Sequence, residues 1–319
     1  MSNTAVATAP TQQSRWLAAM TTEEIRDLRT IDDWRAWRSI AVNWCLVAVS
    51  FALVAWAPNP LTIILALFVI GGRQLGFAVL MHEAAHRTLL RERAWNDWVG
   101  NWLCAYPIWS DLHPYRPYHL QHHAKTGTVE DPDLVLVTPF PITRASLRRK
   151  IWRDLSGRTG WKRAKATLRR DLGKSQGKVK RNFDAGLDSL HGVAITNAVL
   201  FGVLLLLGHP ALYLLWVAAW LTTYSLAMRI RSIAEHAMVP DQQDELRNTR
   251  TTLARWWERI LIAPIRVNYH LEHHLVMTVP HYNLPRMHRL LRQRGVLDNA
   301  CITLGYANVL RLAASRGDA

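Results

Sequence analysis

The sequence is poor in cysteine: its 319 residues include only Cys45, Cys104 and Cys301, which have no close spacing. A disulfide framework and a zinc site built from thiolates are therefore not expected. Charged side chains are also scarce, at 20% of residues against 50% hydrophobic ones, which excludes a largely disordered chain. Acidic residues number 24 against 39 basic ones, so the formal net charge is +15.

Several sequence signatures are missing as well. The chain has no GxGxxG fingerprint of a flavin or nicotinamide site and no HPGG haem motif. Residues 1–30 lack the apolar run of a secretory signal, and residues 1–14 are expected to be disordered. The sequence therefore contains no recognisable electron carrier of its own.

Positive charge is concentrated in one segment, residues 144–181. This segment has 15 Lys or Arg residues and two acids, Asp154 and Asp171, so it carries +13 of the net +15. Beside apolar spans, such a segment is expected to face solvent or lipid headgroups, and nucleic acid is not expected as a partner.

Four apolar stretches approach the length of about 20 residues that a membrane-spanning helix needs. They are residues 40–57, 61–80, 190–207 and 211–228. The short turns at residues 58–60 and 208–210 contain no Lys or Arg, whereas the other flanks of the spans do. The positive-inside rule then places both termini and the long central loop in the cytoplasm. A soluble protein with buried helical hairpins is the alternative.

These spans divide the chain into five parts. They are a cytoplasmic segment 1–39, a hairpin 40–80, a cytoplasmic cap 81–189, a second hairpin 190–228 and a cytoplasmic part 229–319. Within the cap, tryptophans at helical spacing predict an interfacial helix over residues 95–112, with a re-entrant segment as the close alternative.

Arg73 and Gln74 are polar residues inside the second apolar stretch. A charge at this depth is costly and usually faces the protein interior. We expect Arg73 either to pair with Glu83 or Glu235 or to contact a polar part of a substrate.

Eight of the fourteen histidines form three clusters, HEAAH at 82–86, HLQHH at 119–123 and HLEHH at 270–274. Positions i, i+3 and i+4 share one face of a helix, so each cluster is expected to aim two or three imidazoles at one point. Neutral imidazole binds iron, zinc and copper, and eight exceed the three or four ligands of one zinc. The clusters therefore predict two metal ions bound through nitrogen. Iron with open coordination positions is the usual solution for activating O₂.

HEAAH alone has another interpretation, because it matches the HExxH signature of zinc proteases with Glu83 as general base. A membrane zinc hydrolase or protease of this kind would use one cluster and leave the other two without a role.

The chain resembles the membrane fatty acid desaturases, whose superfamily includes lipid hydroxylases and carotenoid ketolases. The three clusters match that family's boxes HxxxH, HxxHH and HxxHH, with EDPDL at 130–134 and VPHYNLPRMH at 279–288 following the second and third. The resemblance covers roughly residues 40–290. It implies two irons held by histidine and O₂-dependent desaturation of a membrane-embedded fatty acyl chain. Hydroxylation or ketolation of a lipid or carotenoid is the alternative.

The predicted metal ligands number nine, and no further catalytic residue is expected. The resemblance adds His236 to the eight clustered histidines, because it is the only histidine between the last span and the third box. The full set is His82, His86, His119, His122, His123, His236, His270, His273 and His274. Carboxylates beside them are expected to accept the second N–H of a ligand histidine, namely Glu83, Glu235, Glu272, Asp131 and Asp133.

The sequence thus predicts an all-α membrane protein in which four spanning helices support a cytoplasmic helical cap with a diiron site. Its two electrons are expected from a separate ferredoxin-like or cytochrome-like donor. Arg outnumbers Lys 32 to 7, a bias typical of GC-rich bacterial genomes, so a bacterial cytoplasmic membrane is the expected location.

Overall fold

The computed structural model of the chain describes residues 16–174 and 183–317, and these are mostly helical. The expected disorder of residues 1–14 and the end of the basic segment, residues 175–181, lie outside this part. The helices are α1 Thr22–Leu28, α2 Asp33–Trp56, α3 Pro60–Ala85, α4 Arg93–Val99, α5 Leu112–Lys125, α6 Leu134–Val137, α7 Arg144–Leu155, α8 Arg158–Asp171, α9 Phe183–Leu206, α10 Tyr213–Leu221, α11 Thr223–His236, α12 Trp256–Leu261, α13 His270–Leu275, α14 Leu284–Gln293 and α15 Tyr306–Ala313.

Short irregular elements complete the described chain. A π-helix at Gly100–Ala105 and 3₁₀ turns at Tyr106–Ile108, Pro210–Leu212 and Pro264–Arg266 connect the longer helices. Two strands, β1 Thr251–Leu253 and β2 Ile302–Leu304, form a parallel pair in which Thr251 lies opposite Ile302. The prediction of an all-α architecture is confirmed, with this small ladder as the only sheet among the described residues.

Four helical stretches are long and apolar enough to cross a membrane: Asp33–Trp56, Pro60–Ala85, Phe183–Leu206 and Pro210–His236. Each predicted apolar stretch lies largely within one of them. The last stretch joins a 3₁₀ turn, α10 and α11 across a break at Thr222, whose φ of −112° and ψ of −86° are not helical. The helices extend further than the apolar residues do, so the second and fourth carry histidines at their ends.

Helix α3 has a well-defined start and a buried second half. The side chain of Asn59 accepts hydrogen bonds from the main-chain N–H groups of Leu61 and Thr62, and Pro60 occupies the first helical position. From Gly71 to Ala85 the helix is almost entirely buried. It is therefore the central helix of the bundle, and its histidine-bearing end lies inside protein.

Helices α3 and α11 pack closely and run in the same direction. A Cβ on Gly71 would lie 2.7 Å from the main-chain nitrogen of Tyr224, so only glycine allows this approach. Nearby, the hydroxyl of Thr223 donates to the main-chain oxygen of Leu67. Both helices then proceed to the histidine-rich end, where α3 presents His82 and α11 ends at His236.

The expected ion pair of Arg73 with Glu83 or Glu235 was wrong. Its guanidinium contacts neither Glu83 nor Glu235 but donates to the main-chain oxygens of Arg259 and Ile260, in the last turn of α12. Helix ends have carbonyl groups without intrahelical partners, and a buried cation can satisfy them. Arg73 thus anchors the C-terminal part of the chain to the centre of α3.

Helices α7 and α8 form most of the described part of the basic segment. Asp154 binds the guanidinium of Arg229 on α11, with an Oδ1–Nη2 distance of 2.8 Å. Of the twelve Lys and Arg residues between 144 and 174, nine are exposed. The segment is therefore fixed to the bundle by a few contacts, and most of its charge faces outward.

Helix α4 and the π-helix that follows it contain the predicted tryptophan-rich segment. Trp95 and Trp98 are 58% and 48% exposed, whereas Val99, Gly100 and Cys104 are buried. One face of the segment thus packs on the bundle, and the other presents indoles. This is the pattern of an interfacial helix, and its position in a membrane remains a prediction.

Candidate metal centre

HEAAH occupies the last turn of α3. His82 lies within the helix and His86 is its C-cap residue, so the two imidazoles project from one face of the same helix. Their ring centroids are 4.7 Å apart, and both side chains are buried.

HLQHH lies on α5, which Arg116 ties to the end of α3. The side chain of Asp111 accepts from the main-chain N–H of His113 and starts the helix. Arg116 donates to the main-chain oxygens of Ala84 and Ala85 and pairs with Asp97. Because Ala84 and Ala85 are the last residues of α3, this guanidinium fixes the second histidine box against the first.

HLEHH begins α13, and His236 is the last residue of α11. A buried arginine, Arg250, holds the turn after His236. Arg250 is 2% exposed and donates to the main-chain oxygens of Ala234 and Ala237, each at 2.9 Å. These bonds satisfy the carbonyls at the end of α11 and hold the helix end where His236 meets α13.

All nine predicted histidines come together, in two groups. Within each group the candidate ligand atoms lie within 4.8 Å of one another. The first group is His82, His86, His119, His123 and His273, and the second is His122, His236, His270 and His274.

Each box directs two of its imidazoles at one group, in agreement with the expected two or three, and the second and third boxes each direct their remaining histidine at the other group. At 3.6 residues per turn, residues i and i+4 are about 40° apart around a helix, whereas i+3 lies about 60° to the other side of i. In both boxes the i and i+4 histidines join one group and the i+3 histidine joins the other. His122 and His273 are these i+3 residues, so α5 and α13 each serve both groups.

The donor set fits metal binding. Four pairs of imidazole nitrogens face each other through Nε2, with distances of 2.9 Å (His86–His119), 3.0 Å (His119–His123), 3.1 Å (His123–His273) and 2.8 Å (His236–His270). Two nitrogen ligands at right angles on one metal, each at about 2.0–2.1 Å, would be about 3 Å apart. Within residues 16–174 and 183–317, several other buried nitrogens have no hydrogen-bond partner, namely both of His82, Nδ1 of His273 and Nε2 of His274. Buried polar atoms are normally satisfied, so these fit positions that a metal would fill.

The protonation of these histidines also suits ligation. Burial and the neighbouring imidazoles lower the pKa of His86 to about 3. The same causes hold the pKa of His119, His270 and His274 well below the ordinary value. Neutral imidazole, the form that binds metals, is therefore favoured.

Asp131 has the expected relation to a ligand candidate. Its Oδ1 lies 2.8 Å from Nδ1 of His122, and both side chains are buried. Asp133 lies further from the same nitrogen, at 3.9 Å. A carboxylate on Nδ1 fixes the tautomer that leaves Nε2 free to bind a metal.

Glu83 and Glu235 approach the centre less directly. Glu83 accepts from the main-chain N–H of His281 at 2.9 Å and lies 3.8 Å from Nδ1 of His82. Glu235 pairs with Arg231 and lies 3.5 Å from Nδ1 of His270. A carboxylate bound by His281 is poorly placed to serve as a general base, which disfavours the zinc-protease interpretation.

Glu272 takes a different place from the one expected. Its hydrogen bonds are with Thr251 and His288 rather than with one of the nine histidines. His288, which follows the third box, thus supports α13 from outside the centre. His281 does the same for α3 through Glu83.

Cavities reach the histidines from different sides. One of about 300 Å³ is lined by His82 and by residues of α3, α5, α8, α10 and α11, and we call it the His82 cavity. Another, of about 420 Å³, reaches His123 and His274 and is lined by polar side chains such as Gln242, Glu245 and Asn248. The centre is thus accessible both from the bundle interior and from a polar face.

Sequence reasoning missed Arg116 and Arg250. Arg116 had a weak signal, since it lies three residues before His119 on the same helical face. Arg250 had none, because its role depends on the turn after His236.

The comparisons with known proteins agree with this geometry. The family model described as fatty acid desaturase matches residues 54–303. The dihydrorhizobitoxine desaturase of Bradyrhizobium elkanii is 28% identical over 273 residues, which are 80% of this chain and 74% of that protein. The sn-1 oleoyl-lipid 12-desaturase of Arthrospira platensis is 27% identical over 79% of this chain and 74% of its own length. A chloroplastic omega-6 fatty acid desaturase of Brassica napus is 25% identical over 84% of this chain and 62% of that protein.

Proposed function

The chain belongs to the fatty acid desaturase family and is a membrane-bound desaturase, and we propose that it inserts a double bond into a fatty acyl chain in an O₂-dependent reaction. The observation that carries this proposal is the pair of histidine groups, five and four in number, beside a cavity that enters the helical bundle. A single-zinc hydrolase would need only three or four of these nine side chains.

We propose that each histidine group holds one iron. When bound, iron at such a site supplies the O₂ chemistry that can break an unactivated C–H bond. In the overall reaction two neighbouring carbons each lose one hydrogen, and O₂ with two electrons and two further protons leaves as two waters. The sequence has neither a GxGxxG fingerprint nor an HPGG motif, which supports a separate electron donor, ferredoxin-like or cytochrome-like.

The chain's own residues position this chemistry. Asp131 orients His122, while Glu83 and Glu235 lie near His82 and His270. The His82 cavity offers largely apolar walls, such as Leu75, to a fatty acyl chain. Six of the nine histidines are buried, which limits the access of water to the centre and favours their neutral form.

We also propose the orientation that the flanking charges predict. Both termini, the cap at residues 81–189 and the part at residues 229–319 face the cytoplasm of a bacterial cell, with the exposed basic residues of α7 and α8 against anionic headgroups. The Arg-rich composition and the relative from Bradyrhizobium elkanii support a bacterial membrane.

Lipid profiling of cells with and without the gene tests the proposed reaction. New double bonds in acyl chains, dependent on O₂, are the expected result. An added oxygen in place of a double bond would assign the chain to hydroxylation or ketolation. His209→Ala, in the turn before α10 and away from both groups, is the control and should retain activity.

A further inference from the structure

Two cavities lie end to end along α10 and α11. The His82 cavity is lined on this side by Trp220, Tyr224, Met228 and Arg231. A second cavity, also about 300 Å³, is lined there by Tyr213, Trp216, Val217 and Trp220, and we call it the Trp216 cavity. The two share three lining residues, Ile108, Trp109 and Trp220, which form a wall between them.

The shared wall is at the end of the His82 cavity remote from the histidines. On α3 the cavity lining runs from His82 back to Leu75, seven residues and therefore about 10 Å at 1.5 Å per residue. On α10 and α11 it runs in parallel from Arg231 back to Trp220. A chain that passes His82 into the bundle therefore meets Trp109 and Trp220 next.

Trp220 is the fixed half of the wall. Its indole N–H donates to the main-chain oxygen of Ile108 at 2.7 Å. The guanidinium of Arg163 lies 4.3 Å from the centroid of the same ring. The side chain is 8% exposed, so hydrogen bonding, charge and burial all hold it in place.

Trp109 is the unusual half. Its ring stacks on Trp220 with centroids 5.7 Å apart, but its buried indole N–H has no hydrogen-bond partner among the described residues. Its backbone is left-handed, with φ of 55° and ψ of 52°, a conformation that favours glycine. Buried tryptophans usually satisfy their N–H, and strained backbone positions cluster at functional sites. The Trp109 indole therefore fills this position without a hydrogen bond, and the left-handed backbone that places it there is strained.

The volumes of the two cavities indicate how long a chain each can hold. A water-sized group, which is close to a methylene, takes about 30 Å³. On this scale each cavity accommodates roughly ten such groups, and the two cavities joined accommodate roughly twenty. The Trp216 cavity has apolar walls, and its two polar side chains satisfy each other, since Tyr213 donates to Asn197 at 3.1 Å. It suits the methyl end of a chain.

We propose that Trp109 is a specificity-determining residue that limits the length of acyl chain extending beyond the reacting carbons. This inference rests on the proposed desaturation. The indole closes the His82 cavity against Trp220, and chains too long for that cavity are rejected because the Trp216 cavity behind the wall is shut off.

Trp109→Gly is the sharpest test, since glycine removes the indole and adopts the left-handed backbone without strain. Cells that express either form are fed a graded series of saturated fatty acids, and unsaturated products of each length are measured by mass spectrometry. One methylene against a hydrophobic wall is discriminated by about tenfold or more. The ratio of longer to preferred products should therefore rise about tenfold in Trp109→Gly.

Two further variants secure the test. Trp109→Phe keeps a smaller aromatic wall and should give an intermediate product profile, and it carries the test if Trp109→Gly does not accumulate. Trp102→Ala is the matched control, because Trp102 belongs to the same segment, packs on Trp98 and Tyr106 and lines neither cavity. Its product profile should equal that of the wild type.

The contrary outcomes are distinct. An unchanged length profile in Trp109→Gly, with the wild type active, would overturn this inference alone. An equal rise in products of every length would also overturn it, since Trp109 would then restrict access rather than length. A wild type that forms no unsaturated product would overturn the proposed function and this inference together.

Discussion

His236 Nε2 and His270 Nε2 lie 2.8 Å apart, although 34 residues separate them in the chain. The contact joins the end of α11 to the start of α13, and the Arg250 guanidinium holds the turn after His236. His236 is thus part of the second histidine group although it belongs to none of the three boxes.

His236→Ala should abolish product formation while the protein still inserts and folds. The second group would retain three histidines, so we expect the iron content to fall by about one atom per chain. Element analysis and lipid profiling of the same preparation measure both effects, with His209→Ala as the active control. Wild-type activity and iron content in His236→Ala would return His236 to the role of an ordinary histidine at a helix end.

Asp131→Asn should weaken the second group without removing a ligand. The amide preserves the shape of the side chain but loses the negative charge that orients Nδ1 of His122. Loss of such a partner typically costs about 10–100-fold in metal affinity or activity. Glu130→Gln is the matched control, because Glu130 is an exposed neighbour whose ion pair is with Lys125. Equal losses in both variants would contradict a specific role for Asp131.

Gly71→Ala should destabilise the bundle, because its Cβ would clash with Thr223 and Tyr224 where α3 meets α11. Overpacking of this kind costs about 1–3 kcal/mol. Gly202→Ala on α9 is the control, since a Cβ there would have no atom of the described part of the chain within 4 Å. Thermal unfolding in detergent should show a lowered midpoint for Gly71→Ala alone, and equal midpoints would refute the close packing.

Neutralising six exposed basic residues of α7 and α8 should slow donor-dependent turnover or loosen the contact with anionic membranes. The suggested glutamine substitutions are at Arg148, Arg149, Arg153, Lys162, Lys165 and Arg169. Electrostatic steering changes association rates by about tenfold or more and weakens with salt. The difference from wild type should therefore be large at low ionic strength and small at high ionic strength. No difference in turnover or vesicle binding at low ionic strength would leave these residues as a solvated face.

The sequence predicted the spans and the histidines because both depend on local patterns. Apolar runs marked the four spanning stretches, and the i, i+3, i+4 spacing marked the boxes. The division of each HxxHH box between two groups follows from the same helical geometry. It could not be predicted from the spacing alone, because the spacing does not show that a histidine group lies on each side of α5 and α13.

Other features depended on contacts that no local pattern reveals. Arg73 contacts main-chain carbonyls of α12 that lie 186 and 187 positions further along the chain. Its place inside an apolar stretch therefore indicated that it is buried, but not which group it contacts. Glu272 binds His288 rather than a box histidine, because α14 packs beside α13. Trp109 attracts attention only through its backbone conformation and the two cavities that it separates.

The metal content of the purified protein, expressed with iron available, tests the central claim most directly. Two groups of histidines predict two irons per chain, and the count should fall when either group loses a ligand. Element analysis that finds one zinc per chain and no iron would contradict the account.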